Sequence, residues 1–501
     1  MSLRRSLFPI VAPALAAGLC ASCADVGEDA WQPPTVVRME GCKQAQVVSP
    51  AYGMIFGSAV GRTGEGGAAL TPAEDATYVP VRPGELLGLG DGGPTLPYTP
   101  SDGATLAFTL EEGKEPSRLF LDGKTVAVGL DLDKTAGWAW LREAPAEDLA
   151  PVRFLMLHSS GQASDTGGVS SETQQTALAR LAEANPHVGL AVQGAPVLGA
   201  ALEMFDPAWL SLGSVTLDAE VQDLLAAEPR LHTLMMEAKA ETGLAFLSRL
   251  PHVRTLFLSG WKGEDKDTPP PALPTIPSLR SLIVFGSDMT DLAPIGEQPN
   301  LQELALVGSK VTDVDRLARM PGLRTLSLQG CKDLKDLSAL SGLTHLCWLA
   351  LPPETSQEQF ATVCADHPDL EVLAAVPCEN LTDLSPLARL RRLRVLTLAE
   401  MQAPLDPVAG LASLRLLGVD LKFPEQREGE AAGESRAEDA EARKARRQAV
   451  VRIMEANPDL AVVQVAPLCL GSGWILLLAP ATAGAWWLAR RRRSGAAGDD
   501  G

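Results

Sequence analysis

Asp131 and Asp133 stand two residues apart and are followed by Lys134 and Thr135, a spacing that could do covalent chemistry. One carboxylate as nucleophile, a second as acid/base and a lysine would suit transfer of a phosphoryl group, provided a downstream acidic pair held magnesium. The chain runs from there directly into repeats and leaves no room for the sheet such a site needs. Asp131–Thr135 is therefore read as a strand end with a polar turn. Gly88–Gly93 (GLGDGG) has the glycine density of a phosphate loop, but Pro94, Pro97 and Pro100 follow, so no helix N-terminus is there to receive a phosphate. The six histidines are scattered: His187, His252 and His367 in inter-repeat turns, His158 and His232 at strand positions, His345 just before a strand. None has metal-ligand spacing to a partner. Cys20 and Cys23 form a C-x-x-C, but inside an apparent export signal, where neither redox nor zinc chemistry is credible. These residues predict no catalytic group, no metal and no cofactor. A hydrolase in the N-terminal region is kept only as an alternative.

The elements behind those residues are set by a repeat. Leu301–Gly322 reads LQELALVGSKVTDVDRLARMPG and Leu323–His345 reads LRTLSLQGCKDLKDLSALSGLTH. Each begins L-x-x-L-x-L, a spacing that recurs at Leu279/Leu282/Val284, Leu346/Leu349/Leu351 and Leu393/Leu396/Leu398. From Val253 to Leu414 the unit starts are 26, 22, 22, 23, 24, 23 and 21 residues apart. A near-fixed period with a strand signature means a solenoid. Proline often sits two residues before the first Leu or Val, as at Pro251, Pro277, Pro299, Pro321 and Pro368, where it closes one coil and launches the next strand. On the return limb Thr290-Asp291-Leu292, Thr312-Asp313-Val314 and Thr382-Asp383-Leu384 each precede a short helix, with Ser385 placed to cap and Pro386 at a first helical position. A composition of 46% hydrophobic and 5% aromatic residues suits a narrow aliphatic core. The net charge of −19 argues against nucleic acid, which needs a basic footprint.

The two ends read as targeting segments. Arg4 and Arg5, the apolar run Leu7–Leu19 and the small residues before Cys23 have the layout of an export signal over residues 1–23. Leu468–Ala489 carries 22 residues without a charge and is followed by Arg490–Arg493. At ~1.5 Å per residue that run spans a hydrocarbon core, and the arginines would keep the tail 490–501 in the cytoplasm.

Residues 279–421 resemble the 22-residue bacterial leucine-rich repeats of the internalin type, and 152–258 are similar but degenerate. The resemblance implies an α/β fold: a leucine-rich-repeat solenoid with a parallel sheet on its concave face and short helices on its convex face. It also implies that Cys331 and Cys378, each eight residues after a first Leu, tie adjacent coils through their side chains. The N-terminus resembles a bacterial secretory signal, either plainly cleaved or a lipoprotein signal with Cys23 as the lipidated residue. The C-terminus resembles the cleaved sorting tails of some Gram-negative surface proteins. Asp131–Thr135 resembles the nucleophile motif of haloacid-dehalogenase-type phosphatases, as a short match only.

Residues 24–150, rich in Gly and Pro, are expected to form a β-rich domain that caps the solenoid, with a hairpin around Asp122-Gly123. The solenoid is expected over 151–422, a charged insertion, helix and terminal repeat over 423–467, and one transmembrane helix over 468–489. In the repeat the third and fifth residues point out from the sheet, including Phe257, Ile283 and Trp348. The second residue adds a broken row of arginines: Arg254, Arg280, Arg324, Arg394 and Arg415. An apolar strip rimmed by arginine suits a protein or peptide ligand. The competing reading has the same residues covered by the N-terminal domain or a loop. The expectation is an extracytoplasmic, membrane- or surface-anchored binding protein of the cell envelope. The alternative is an envelope scaffold with no specific ligand.

Overall fold

The computed structural model describes residues 31–467 apart from stretches at 43–44, 49–53, 64–68, 74, 83–85, 90–94, 98–104, 112–115, 159–170, 194, 214–216, 239–242, 266–267, 402 and 422–435. The expected export signal with Cys23, the span Leu468–Ala489 and the tail 490–501 lie outside the described residues. Among the described residues no helix is long and apolar enough to cross a membrane.

The N-terminal domain contains β1 (Thr35–Glu40), β2 (Ala45–Val48), β3 (Met54–Thr63), β4 (Ala69–Pro72), β5 (Ala76–Val81), β6 (Leu86–Leu89), β7 (Thr95–Pro97) and β8 (Thr105–Glu111). The expected hairpin follows as β9 (Ser117–Leu121) and β10 (Lys124–Asp131). Asp122 and Gly123 take φ of 50° and 75°, the left-handed pair that a two-residue turn between twisted strands requires.

β10 is also the first strand of the solenoid, so the parallel ladder starts at Lys124, inside the region expected to be the capping domain. It continues through β11 (Phe154–His158), β12 (Gly189–Gln193), β13 (Trp209–Gly213), β14 (Thr233–Glu237), β15 (Thr255–Ser259), β16 (Ser281–Phe285) and β17 (Glu303–Val307). β18 (Thr325–Ser327), β19 (Trp348–Ala350), β20 (Val372–Ala375), β21 (Val395–Leu398), β22 (Leu416–Val419) and β23 (Ala461–Pro467) complete it.

The register stacks leucines coil on coil: Leu256 pairs with Leu282, then Leu304, Leu326, Leu349, Leu373, Leu396 and Leu417. All are fully buried, each removing a side chain from water for about 1.5–3 kcal/mol. Between coils, the carbonyl of Arg254 accepts from the N–H groups of both Arg280 (2.8 Å) and Ser281 (2.9 Å), a pattern repeated at Arg280, Arg324, Glu371 and Arg394. Gly286 and Gly308, at φ of 60° and 64°, turn the chain so that their N–H groups reach the next coil's Val307 and Gln329 carbonyls. Cys331 Sγ–H donates to Leu306 O at 2.8 Å and Cys378 Sγ–H to Pro352 O at 3.6 Å, the coil-to-coil ties expected of them. Ser287 Oγ does the same to Trp261 O.

The convex side changes with coil length. The 36 residues from Val152 to Val188 hold the helix Ser171–Ala184, whereas the 22-residue coils carry 3-10 turns such as Asp315–Arg319. A 3-10 turn rises ~2.0 Å per residue against ~1.5 Å, so it returns the chain over the same distance with fewer residues. These turns begin at aspartates. Asp291, Asp313, Asp336 and Asp383 each accept from the backbone N–H two residues on. Ser385 is therefore not the cap: it lies inside the turn Ser385–Arg389 and donates its hydroxyl to Asp383.

The N-terminal domain meets both ends of the ladder. At one end β8 pairs with β9, and β9 with β10. At the other, β3 runs antiparallel to β23, with Ala59 opposite Val463 and Phe56 opposite Val465. β1 joins β8 to β5, and the Thr77 hydroxyl of β5 donates to Gly57 O of β3 at 2.5 Å. The helix Arg436–Ala456 adds an ion pair at the same end, Glu455 Oε1 to Arg62 at 2.7 Å. No edge of the parallel sheet is left open, which removes the usual hazard of unpaired strand edges.

Candidate functional site

Strand alternation does place Phe257, Ile283 and Trp348 on the concave side, but they are not exposed. Trp348 and Ile283 are fully buried and Phe257 is 2% exposed. The expected apolar strip is thus not open to solvent: all three residues are buried, and Trp348 lies beneath a residue of the chain's own N-terminal domain. Arg82, just after β5, is the visible link. Its Nη1 lies 2.7 Å from Glu303 Oε1, and its guanidinium stacks 5.3 Å from the Trp348 ring centroid. Arg82 itself is 8% exposed, so the pair and the stacking operate with little competition from water. Small outward residues (Ala305, Ser327, Ala350, Ala374) give the covering domain room to approach, and all are buried.

The second residue of each unit has a different fate, because it lies at the rim where strands begin. Arg254 and Arg415 are exposed; Arg280, Arg324 and Arg394 are half-buried. Their backbones stack in register, with Cys347 and Glu371 between Arg324 and Arg394. Glu371 is 3% exposed, and its Oε1 holds Arg392 at 3.1 Å.

The same rim, further upstream, gathers titratable groups that the sequence showed only as scattered. Asp206 Oδ2 lies 3.8 Å from His187 Nδ1 and 3.6 Å from Arg230 Nε. Burial, with the Asp206 charge alongside, pushes the Glu228 carboxyl up to about 7. Burial holds the His232 imidazole below its ordinary value, and the Arg254, Arg230 and His252 charges lower it further. Nothing in the spacing of these residues signalled the cluster, since they come together only when coils stack. Among the described residues no group of three or more His, Cys, Asp or Glu could hold a metal ion.

Asp131 ends β10, as read from sequence. Burial raises its carboxyl, but the Asp133 N–H at 3.0 Å and the Lys134 ammonium at 3.0 Å outweigh that and hold it below the usual range. A carboxylate pinned by its own turn in this way is a strand terminator.

No family model and no curated protein sequence matches the chain. Among solved structures, an internalin (inlF) of Listeria monocytogenes is similar over 59% of this chain and 80% of its own, at 18% identity and a TM-score of 0.36. An internalin C2 of the same organism covers 41% of this chain and 79% of its own, at 21% identity and a TM-score of 0.26. A leucine-rich-repeat protein of Leptospira interrogans covers 66% and 94%, at 13% identity and a TM-score of 0.35. Likeness at that level carries no functional argument. The fold itself is read from the coils: leucine columns in register, a parallel strand per unit and a side-chain tie at the ninth residue are the architecture of a leucine-rich-repeat solenoid.

Proposed function

We propose that the chain is a non-enzymatic repeat scaffold that binds a protein or peptide partner along its rim. The observation that supports this is the arginine row, Arg254, Arg280, Arg324, Arg394 and Arg415, set at one place in the coil and interrupted by Gln302, Cys347 and Glu371, in a chain whose net charge is −19. Phe257, Ile283 and Trp348, expected to bind from the concave sheet, are buried, which favours the rim over the sheet. Export through residues 1–23, with or without lipidation of Cys23, and anchoring through Leu468–Ala489 would set the scaffold outside the cytoplasmic membrane, in the cell envelope. A second reading, an envelope scaffold with no ligand, draws support from the same burial.

Photo-crosslinking on intact cells separates the two. A photoreactive amino acid at Arg324 on the rim is expected to give a discrete adduct that the same group at Asp313, on a convex turn, does not give. Failure of Arg254, Arg324 and Arg415 alike to yield an adduct leaves the ligand-free scaffold.

A further inference from the structure

The downstream half of the rim differs from the rest in what its arginines lack. The carbonyl of Arg324 accepts from Cys347 and Trp348, that of Cys347 from Glu371 and Val372, that of Glu371 from Arg394 and Val395, and that of Arg394 from Arg415 and Leu416. Arg324, Cys347, Glu371, Arg394 and Arg415 are therefore a stacked column, one residue per coil. Arg391 and Arg392 precede Arg394 on the same turn and are exposed.

Acceptors for these five guanidinium groups are few. Glu371 Oε1 takes Arg392, and its buried Oε2 has no partner. Arg415 Nη1 reaches only backbone carbonyls, Ala412 at 3.3 Å and Leu414 at 3.1 Å. The Arg324 and Arg394 side chains make no hydrogen bond or ion pair with any described residue, although each is half-buried. With Asp369 exposed nearby, five arginines face two carboxylates. The upstream rim is different: Arg230 faces Asp206, and the Glu228 carboxyl stands beside it.

We infer that the column from Arg324 to Arg415, with Arg391 and Arg392, is a docking surface for an extended acidic peptide segment of a partner protein. This rests on the rim reading above and names its chemistry. Four coil steps of ~4.8 Å set Arg324 about 19 Å from Arg415, the length of about six residues of extended chain. Guanidinium forks suit carboxylates in pairs, and half-burial of the stems fixes where the forks can point. The net charge of −19 works against such a segment over the acidic surface, so exclusion there adds to attraction at this column. Glu371, buried and paired with Arg392, holds that arginine at the column.

The test is fluorescence anisotropy of a labelled hexaglutamate peptide titrated with the full chain at about 50 mM and about 300 mM salt. Binding is expected, weakening about tenfold or more at the higher salt. Arg324→Glu with Arg394→Glu should abolish it. Arg324→Lys with Arg394→Lys should retain part of it, and Arg319→Glu, on the convex turn Asp315–Arg319, should leave it unchanged; circular dichroism checks that each variant is folded. No binding by the unaltered chain, or equal binding by the charge-reversed variant, overturns the inference. Inorganic polyphosphate competing as well as the peptide also overturns it, by making the column a general anion surface. Rim adducts on cells without hexaglutamate binding leave the rim reading standing and remove the acidic partner. Hexaglutamate binding without rim adducts removes the rim reading as the cellular function and keeps the column's chemistry.

Discussion

Arg82 Nη1 meets Glu303 Oε1 at 2.7 Å, joining two residues 221 positions apart in sequence and tying the N-terminal domain to the third residue of a repeat strand. The side chains are 10% and 21% exposed, so the attraction acts in a medium well below the dielectric of water. The same guanidinium also covers Trp348, which is fully buried. One arginine thus links the domain to two coils at once.

Arg82→Ala is expected to cost about 2–3 kcal/mol, because it leaves the half-desolvated Glu303 carboxylate without its partner. Denaturant unfolding monitored by Trp fluorescence measures this. Glu303→Gln in the Arg82→Ala background should cost much less than Glu303→Gln alone, and additive losses in the double variant would show that the two residues do not act together.

Trp348→Ala should act on stability. Removing a fully buried indole opens a cavity, and losses of this kind run about 3–5 kcal/mol. Isothermal titration with the hexaglutamate peptide, at a temperature where the variant is still folded, should give the unaltered affinity. A loss of affinity with unchanged unfolding would restore Trp348 as a contact residue.

Glu228 sets a pH dependence with a defined sign. Its folded carboxyl titrates at about 7, above the unfolded value of 4.5, so the folded state holds the proton more tightly. Stability from this group is full below pH 4.5 and is lost as pH rises through 7. Glu228→Gln should therefore stabilise the chain at pH 8 by on the order of 1–2 kcal/mol, the shift being discounted for partial exposure, and by nothing near pH 4. Thermal unfolding of both proteins at the two pH values measures the difference.

Burial pushes the Cys331, Cys364 and Cys378 thiols up to about 12, and Cys42 and Cys347 to about 11. The thiolate is the reactive form, so iodoacetamide at pH 8 should leave all five unmodified in the folded chain and label them in denaturant, as read by peptide mass spectrometry. Cys331→Ala should also cost about 1–2 kcal/mol, since it leaves the buried Leu306 carbonyl without its donor.

Much of the scaffold was legible in single residues. The L-x-x-L-x-L spacing located the strands from Thr255–Ser259 to Leu416–Val419, because inward leucines must repeat wherever a coil closes on a narrow core. Asp122-Gly123 located the hairpin, since few other pairs tolerate two left-handed residues. Cys331 and Cys378 located the ties between coils, and the Val463 region the last strand. The caps were legible only in part: Ser385 and Asp383 both suit the start of a turn, and which one accepts depends on backbone angles that neighbouring coils impose.

What the sequence alone determined was thus the local pattern, which side of each strand faces the core and which faces out. Whether an outward residue is also an exposed one was decided by tertiary structure. Phe257, Ile283 and Trp348 point outward as their alternation requires, and are buried all the same, Trp348 beneath the Arg82 guanidinium that also pairs with Glu303. Strand alternation is a property of a few consecutive residues. Pairing of the ladder's ends with the chain's own N-terminal domain depends on contacts separated by hundreds of positions, such as Ala59 with Val463, and leaves no periodic trace in either segment. The arginines of the rim are less buried because they stand where the strands begin, at the margin of the sheet.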